Sequence, residues 1–171
     1  MTNATRQHAT QDATQDAATD AMPTIATIGY EGATVRGFLD ALTEAGVELL
    51  VDVRAVAMSR RPGFAKTRLA ANLDEAGIQY LHLRQLGTPA DGRAAARSGR
   101  HAEMQAIFRE HMATEGAQQE LALLADLVRQ GRRMCLLCFE ADPSHCHRSL
   151  VAAALQGLVP VRVEHLTPVD A

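Results

Sequence analysis

Short apolar runs alternate with longer helical patterns along this chain, and most of the helical patterns stop at a glycine. Residues 24–28 form a short β-branched run ending at Gly29. Residues 35–45 place Phe38, Leu39 and Leu42 on one face, with Gly46 behind them. Residues 48–53 contain LLVDV, the pattern of a buried strand. A second helix is expected over 66–76, closed by Gly77, and residues 78–83 alternate as a strand does. Residues 87–99 hold Gly, Pro, Ser and Arg and read as a loop. Helices follow over 102–112 and 117–130, the latter stopped by Gly131. Residues 133–139 are an apolar strand, 144–156 a helix followed by Gly157, and 159–166 a last strand. The order is βαβαβααβαβ. Strands separated by helices need crossover connections. The pattern therefore predicts an α/β fold, a mostly parallel sheet of about five strands with helices on both faces, in a Rossmann-like three-layer arrangement.

The domain is expected over residues 23–171. Residues 1–22 are rich in Ala, Thr, Gln and Asp, carry a tandem ATQD repeat, and have no large apolar residue between Thr2 and Ala21. Such a stretch cannot bury a face and reads as a disordered tail. The chain of 171 residues is long enough for one core beyond that tail. Its three cysteines, Cys135, Cys138 and Cys146, with no secretory segment before them, predict a reduced, cytoplasmic protein. No apolar run is long enough to span a bilayer. Net charge is −3, which argues against a general affinity for nucleic acid. However, residues 54–68 hold five basic side chains and no acid, a local patch that attracts phosphates or carboxylates.

In open parallel sheets, ligands bind beyond the carboxyl ends of the strands. Polar and reactive residues follow four of the expected strands. Gly29-Tyr30-Glu31-Gly32 follows the first, as a backbone N–H cradle or simply a tight turn. Asp52 and Arg54 end the second; two apart on a strand, they share a face. They either pair to anchor the following loop or serve a site, Asp52 orienting a reacting group and Arg54 holding an anion. His82 and Arg84 follow the third. Cys138, Glu140 and the run Asp142 to Arg148 follow the fourth. There Asp142 or Ser144 is expected to cap a helix with Pro143 at an early position, which puts Cys146 in the first turn. A thiol so placed, between His145 and His147 and near Arg148, is in the setting that lowers its pKa; the alternative is a small packed residue. A zinc site is not favoured, because Cys135 and Cys138 should point to opposite faces of a strand and His145, Cys146 and His147 should diverge on a helix. A phosphatase-type Cys-x5-Arg loop is excluded by spacing.

The segments TIGYEG (27–32), VDVR (51–54), SRRPGF (59–64), GIQYLHLRQLGTP (77–89) and LLCFEADPSHCHR (136–148) resemble the motifs of the bacterial and archaeal domain-of-unknown-function family 488. The resemblance runs over about 24–166 and departs at Ala57, where the family pattern has Pro. It implies a small α/β domain and carries no assigned activity or cofactor. The reading that follows is a site for a small anionic, nucleotide-type ligand. Cys146, Cys138, Glu140 and Asp52 are its candidate reacting groups. Tyr30, Glu31, Arg54, Arg61, His147 and Arg148 are its candidate ligand contacts. The alternative is a non-catalytic nucleic-acid or protein-interaction module using the arginine-rich loops, although few aromatic residues are present for base stacking.

Overall fold

The computed structural model describes residues 22–170. The expectation of a disordered tail therefore falls outside the described residues, Met22 apart. Five strands form one parallel sheet: β1 Thr24–Gly29, β2 Leu49–Asp52, β3 Gln79–His82, β4 Met134–Cys138 and β5 Arg162–Leu166, in the order β3-β2-β4-β1-β5. Six α-helices connect them: α1 Val35–Glu44, α2 Lys66–Glu75, α3 Ala90–Arg97, α4 His101–Met112, α5 Glu115–Arg129 and α6 His147–Gln156. The α/β class, the parallel sheet and five of the six helices agree with the sequence pattern. Gly46, Gly77 and Gly131 take positive φ after α1, α2 and α5, as helix stops require.

Each helix forms where its apolar residues can face the sheet. Phe38 and Leu42 of α1 and Leu69 and Leu73 of α2 are buried at 0–1% exposure, together with Ile28, Leu50 and Leu137. Burial of side chains of this size stabilises by about 1.5–3 kcal/mol each. On the opposite face Met104 and Phe108 of α4, Leu121 and Leu124 of α5, and Val151 and Leu155 of α6 cover Ile25, Val51 and Leu136. The chain steps one way across the sheet from β1 to β2 to β3 with α1 and α2 on one face. It then turns back through β4 and β5, with α3 to α6 on the other. A reversal of direction moves the helices to the opposite face when every crossover is right-handed.

The segment read as a loop, residues 87–99, contains α3. Its contacts are made by small side chains. Gly92 and Ala95 are buried, and a Cβ on Gly92 would lie 2.6 Å from Thr88 and 3.3 Å from Ile107. The packing of α3 on α4 thus rests on the absence of bulk, which leaves no apolar stripe in the sequence to announce the helix.

Candidate functional site

The strand order places β4 between β1 and β2. The loops after β1 and β2 lead to helices on one face, and the loop after β4 leads to α6 on the other. Neighbouring strands whose exits diverge leave a crevice at their carboxyl ends. Here Tyr30, Arg54 and Cys138 meet, from strands far apart in sequence. The β1 and β4 exits are bonded to each other. Glu31 N–H donates to the Phe139 carbonyl at 2.8 Å, and the Glu31 carboxylate accepts from Ala141 N–H at 3.0 Å. Gly29 makes this approach possible, since a Cβ there would lie 1.8 Å from the Glu140 carbonyl oxygen.

The arginines of the motifs are engaged internally. Arg54 is 6% exposed, and its Nε and Nη2 donate to the two oxygens of Asp52 at 2.8 and 2.7 Å. Its Nη1 donates to the Tyr30 hydroxyl at 3.2 Å and to the Phe64 carbonyl at 2.9 Å. Asp52 is wholly buried and also accepts from the Tyr80 hydroxyl. Burial alone would lower the pKa of Arg54, but the ion pair with Asp52 outweighs it and the pKa is raised. Tyr80 is raised by burial and then by Asp52. Arg148 is wholly buried: its Nε donates to Thr27 Oγ1 at 3.2 Å and its Nη groups to the carbonyls of Glu140 and Ala141. Arg61 donates to the Ala33 carbonyl. Arg148 therefore ties loops together, which corrects the expectation that its guanidinium group stands open to an anion, while Arg61 lies outside the crevice where Tyr30, Arg54 and Cys138 meet and keeps a buried Nε without a partner.

The thiols also depart from expectation. Asp142 caps only a short 3-10 turn, Pro143–His145, by accepting from Ser144 N–H at 2.9 Å. Helix α6 starts after it, with Cys146 in extended conformation at its N-cap. Cys146 is 3% exposed, and burial first, then Cys138, pushes its pKa well up rather than down. Desolvation in the core outweighs the helix N-terminus here. Cys135 is wholly buried and raised for the same reason. Cys138 and Cys135 do point to opposite faces, but Cys138, Cys146 and His147 come together: their Sγ, Sγ and Nδ1 atoms all lie within 4.8 Å of one another. His147 Nδ1 is 3.4 Å from Cys138 Sγ and 3.9 Å from Cys146 Sγ, and its Nε2 is 2.7 Å from the Val53 carbonyl. A carbonyl only accepts, so Nε2 carries a proton, and in the neutral ring Nδ1 then offers its lone pair to the thiols. The Glu140 carboxylate lies 3.2 Å from Cys138 Sγ.

A cleft of about 300 Å³ opens over this cluster. Cys138, Glu140 and His147 face it from the β4 exit, and Tyr30, Arg54 and Phe139 line it beside them. Tyr30 is held by stacking on Phe64, with ring centroids 4.6 Å apart, and Phe139 meets it edge-on at 5.3 Å. Across the cleft α3 presents Arg93 and Arg97, and His145 stacks on His101 at 4.3 Å. Arg93 donates one N–H to the Thr88 carbonyl at 2.8 Å, and Arg97 is exposed.

A family model described as Domain of unknown function DUF488 matches residues 34–155. The chain belongs to that family. The match is narrower than the 24–166 suggested by the motifs and leaves Tyr30, Glu31 and β5 outside it. No curated protein and no solved structure matches the chain.

In this DUF488 protein, the sequence candidates separate into two groups. Tyr30, Arg54, Cys138, Glu140 and His147 line one cleft. Asp52, Arg61, Cys146 and Arg148 do not; they lie among its supports. Glu31 bonds the loop beside it. Arg93, Arg97 and His145 were not singled out as site residues. The helical signal that would have placed Arg93 and Arg97 on one element is masked by Gly92, Ser98 and Gly99.

Proposed function

We propose that the cleft binds a small organic molecule carrying a phosphate or carboxylate group, and that the protein acts on it with the groups at the β4 end. The observation that carries this reading is the convergence of a thiol, a carboxylate and an imidazole (Cys138, Glu140 and His147) with the arginines of α3 around a single mostly apolar cleft. Sites of this kind fix orientation with a few polar groups and gain affinity from apolar walls. Arg93 and Arg97 are the cations free to meet the ligand's charge, and Tyr30 and Phe139 provide aromatic wall.

Binding of generic nucleic acid is less well supported. Of the basic run 54–68, Arg54 and Arg61 are engaged in internal contacts, leaving Arg60, Lys66 and Arg68 exposed. Three surface cations on a chain of net charge −3 make a weak electrostatic footprint.

The test is calorimetric titration with nucleoside monophosphates, sugar phosphates and dicarboxylates, each repeated on an R93A/R97A variant. Saturable binding of at least one class, weakened about tenfold or more by the double substitution, is expected; a lost charge-assisted hydrogen bond costs about 1.5–3 kcal/mol. Binding that survives the double substitution unchanged, or tight salt-sensitive binding of unrelated duplexes, would overturn the reading.

A further inference from the structure

We infer that Cys138, Cys146 and His147 form a binding site for one thiophilic divalent cation, of which zinc is the type, with its open position toward the cleft. The inference rests on the reading of the cleft only for what occupies that open position. The ion site itself stands on the geometry of three side chains.

Zinc bonds sulfur at about 2.3 Å and imidazole nitrogen at about 2.0–2.1 Å, so tetrahedral ligands hold sulfur and nitrogen about 3.6 Å apart and two sulfurs about 3.8 Å apart. The two sulfur-to-nitrogen distances here are 3.4 and 3.9 Å, on either side of that value. The sulfurs lie within 4.8 Å of each other, so rotamer adjustments of an ångström or less close the site.

The imidazole is prepared for the role. Its Nε2–H is fixed by the Val53 carbonyl at 2.7 Å, the arrangement that orients metal-bound histidines, and its bare Nδ1 points at both thiols. Charge also balances. The three groups are buried, and two thiolates with one divalent cation sum to zero, so the loaded site buries no net charge.

The ligand count indicates what kind of site this is. Structural zinc sites are closed by four protein ligands, whereas catalytic sites keep three and leave a position for water or substrate. Glu140 reaches Cys138 at 3.2 Å but is not among the groups that lie mutually within 4.8 Å. It is therefore placed beside the ion rather than on it, where a carboxylate accepts a hydrogen bond from a bound water. Cys138 and His147 line the cleft, so the fourth position faces the space assigned to the ligand.

Neither cysteine spacing nor helix periodicity discloses this trio. Cys138 ends a strand, Cys146 is an extended N-cap and His147 is the first residue of α6. The change of backbone conformation between Cys146 and His147 is what lets adjacent side chains converge.

The experiment is titration of the reduced, chelator-treated full chain with Co2+ alone, followed by absorbance and checked by native mass spectrometry with Zn2+. One ion per chain is expected, with thiolate-to-cobalt charge-transfer absorption and the intense visible bands of a tetrahedral site. C138S and C146S should each lose about half or more of the charge-transfer absorption, and C135S should leave it unchanged. Circular dichroism of each metal-free variant separates lost ligation from lost folding. If C146S fails to fold, H147Q and C138S carry the same test. No stoichiometric ion in the folded wild-type chain, charge-transfer absorption left undiminished in C138S, or loss of two hydrogens to a Cys138–Cys146 disulfide in place of ion uptake would overturn the inference. Adding the phosphate or carboxylate ligand to the cobalt-loaded protein should then shift the visible bands. Failure of that shift alone counts against the cleft as a ligand site and leaves the ion site standing.

Discussion

At the carboxyl end of β2, the Asp52 carboxylate accepts three hydrogen bonds from Arg54 and one from Tyr80. At the carboxyl end of the adjacent β4, two thiols and an imidazole nitrogen face one another with only weak sulfur contacts between them. The first end has charged groups whose hydrogen-bonding capacity is almost fully used. The second has two thiols and an imidazole whose Sγ, Sγ and Nδ1 atoms lie within 4.8 Å of one another. Charge in these motifs thus marks where the fold is tied together, and the proposed chemistry falls on the thiols and imidazole instead. The same contrast applies to Arg148, a full charge committed to the carbonyls of the loop it supports.

The comparison is most easily broken at the β2 end. Asp52→Ala leaves the Arg54 guanidinium buried without its partner and should cost about 3–5 kcal/mol in urea unfolding. A loss below about 1 kcal/mol would mean that the pair is not structural. Next in size is Arg148→Met, which strands the carbonyls of Glu140 and Ala141; a loss of about 2–3 kcal/mol is expected, with reduced hydrogen-exchange protection in the loop after β4. Alkylation sharpens the comparison at the β4 end. Cys138 lines the cleft while Cys135 and Cys146 do not, so peptide mapping after iodoacetamide should find Cys138 modified first. Faster labelling of Cys146 would reverse the assignment of the two thiols. The smallest effect belongs to Arg97→Ala, expected to alter unfolding free energy by no more than about 0.5 kcal/mol while weakening the ligand. A larger stability loss would place Arg97 with Arg148 among the structural arginines.

The fold was legible where apolar residues are large and regularly spaced. Phe38 and Leu42 announce α1, and LLVDV announces β2. It was illegible at α3, where burial falls on Gly92 and Ala95 and the surrounding glycines and serine imitate a loop. For the candidate site, the sequence showed which strand ends converge, because parallel topology alone sends Tyr30, Arg54 and Cys138 to one edge. Which side chain keeps spare valence was not legible. That depends on partners contributed by distant backbone, such as Val53 for His147 and Glu140 for Arg148. The low-pKa reading of Cys146 failed for a related reason: sequence shows the neighbours along the chain but not the depth at which they lie.

The position of β1 has a consequence for how the chain is made. It is the first of the described strands to be synthesised, yet its partners on both sides, β4 and β5, are the last two of them. At about 5–20 residues per second, both edges of β1 wait on the order of ten seconds for the segments that cover them. Until then its apolar run is an open template, and Tyr30 at its end has no β4 exit to meet. Assembly of the cleft is therefore a late event of synthesis, completed only when β4 and the segment after it fold back beside β1.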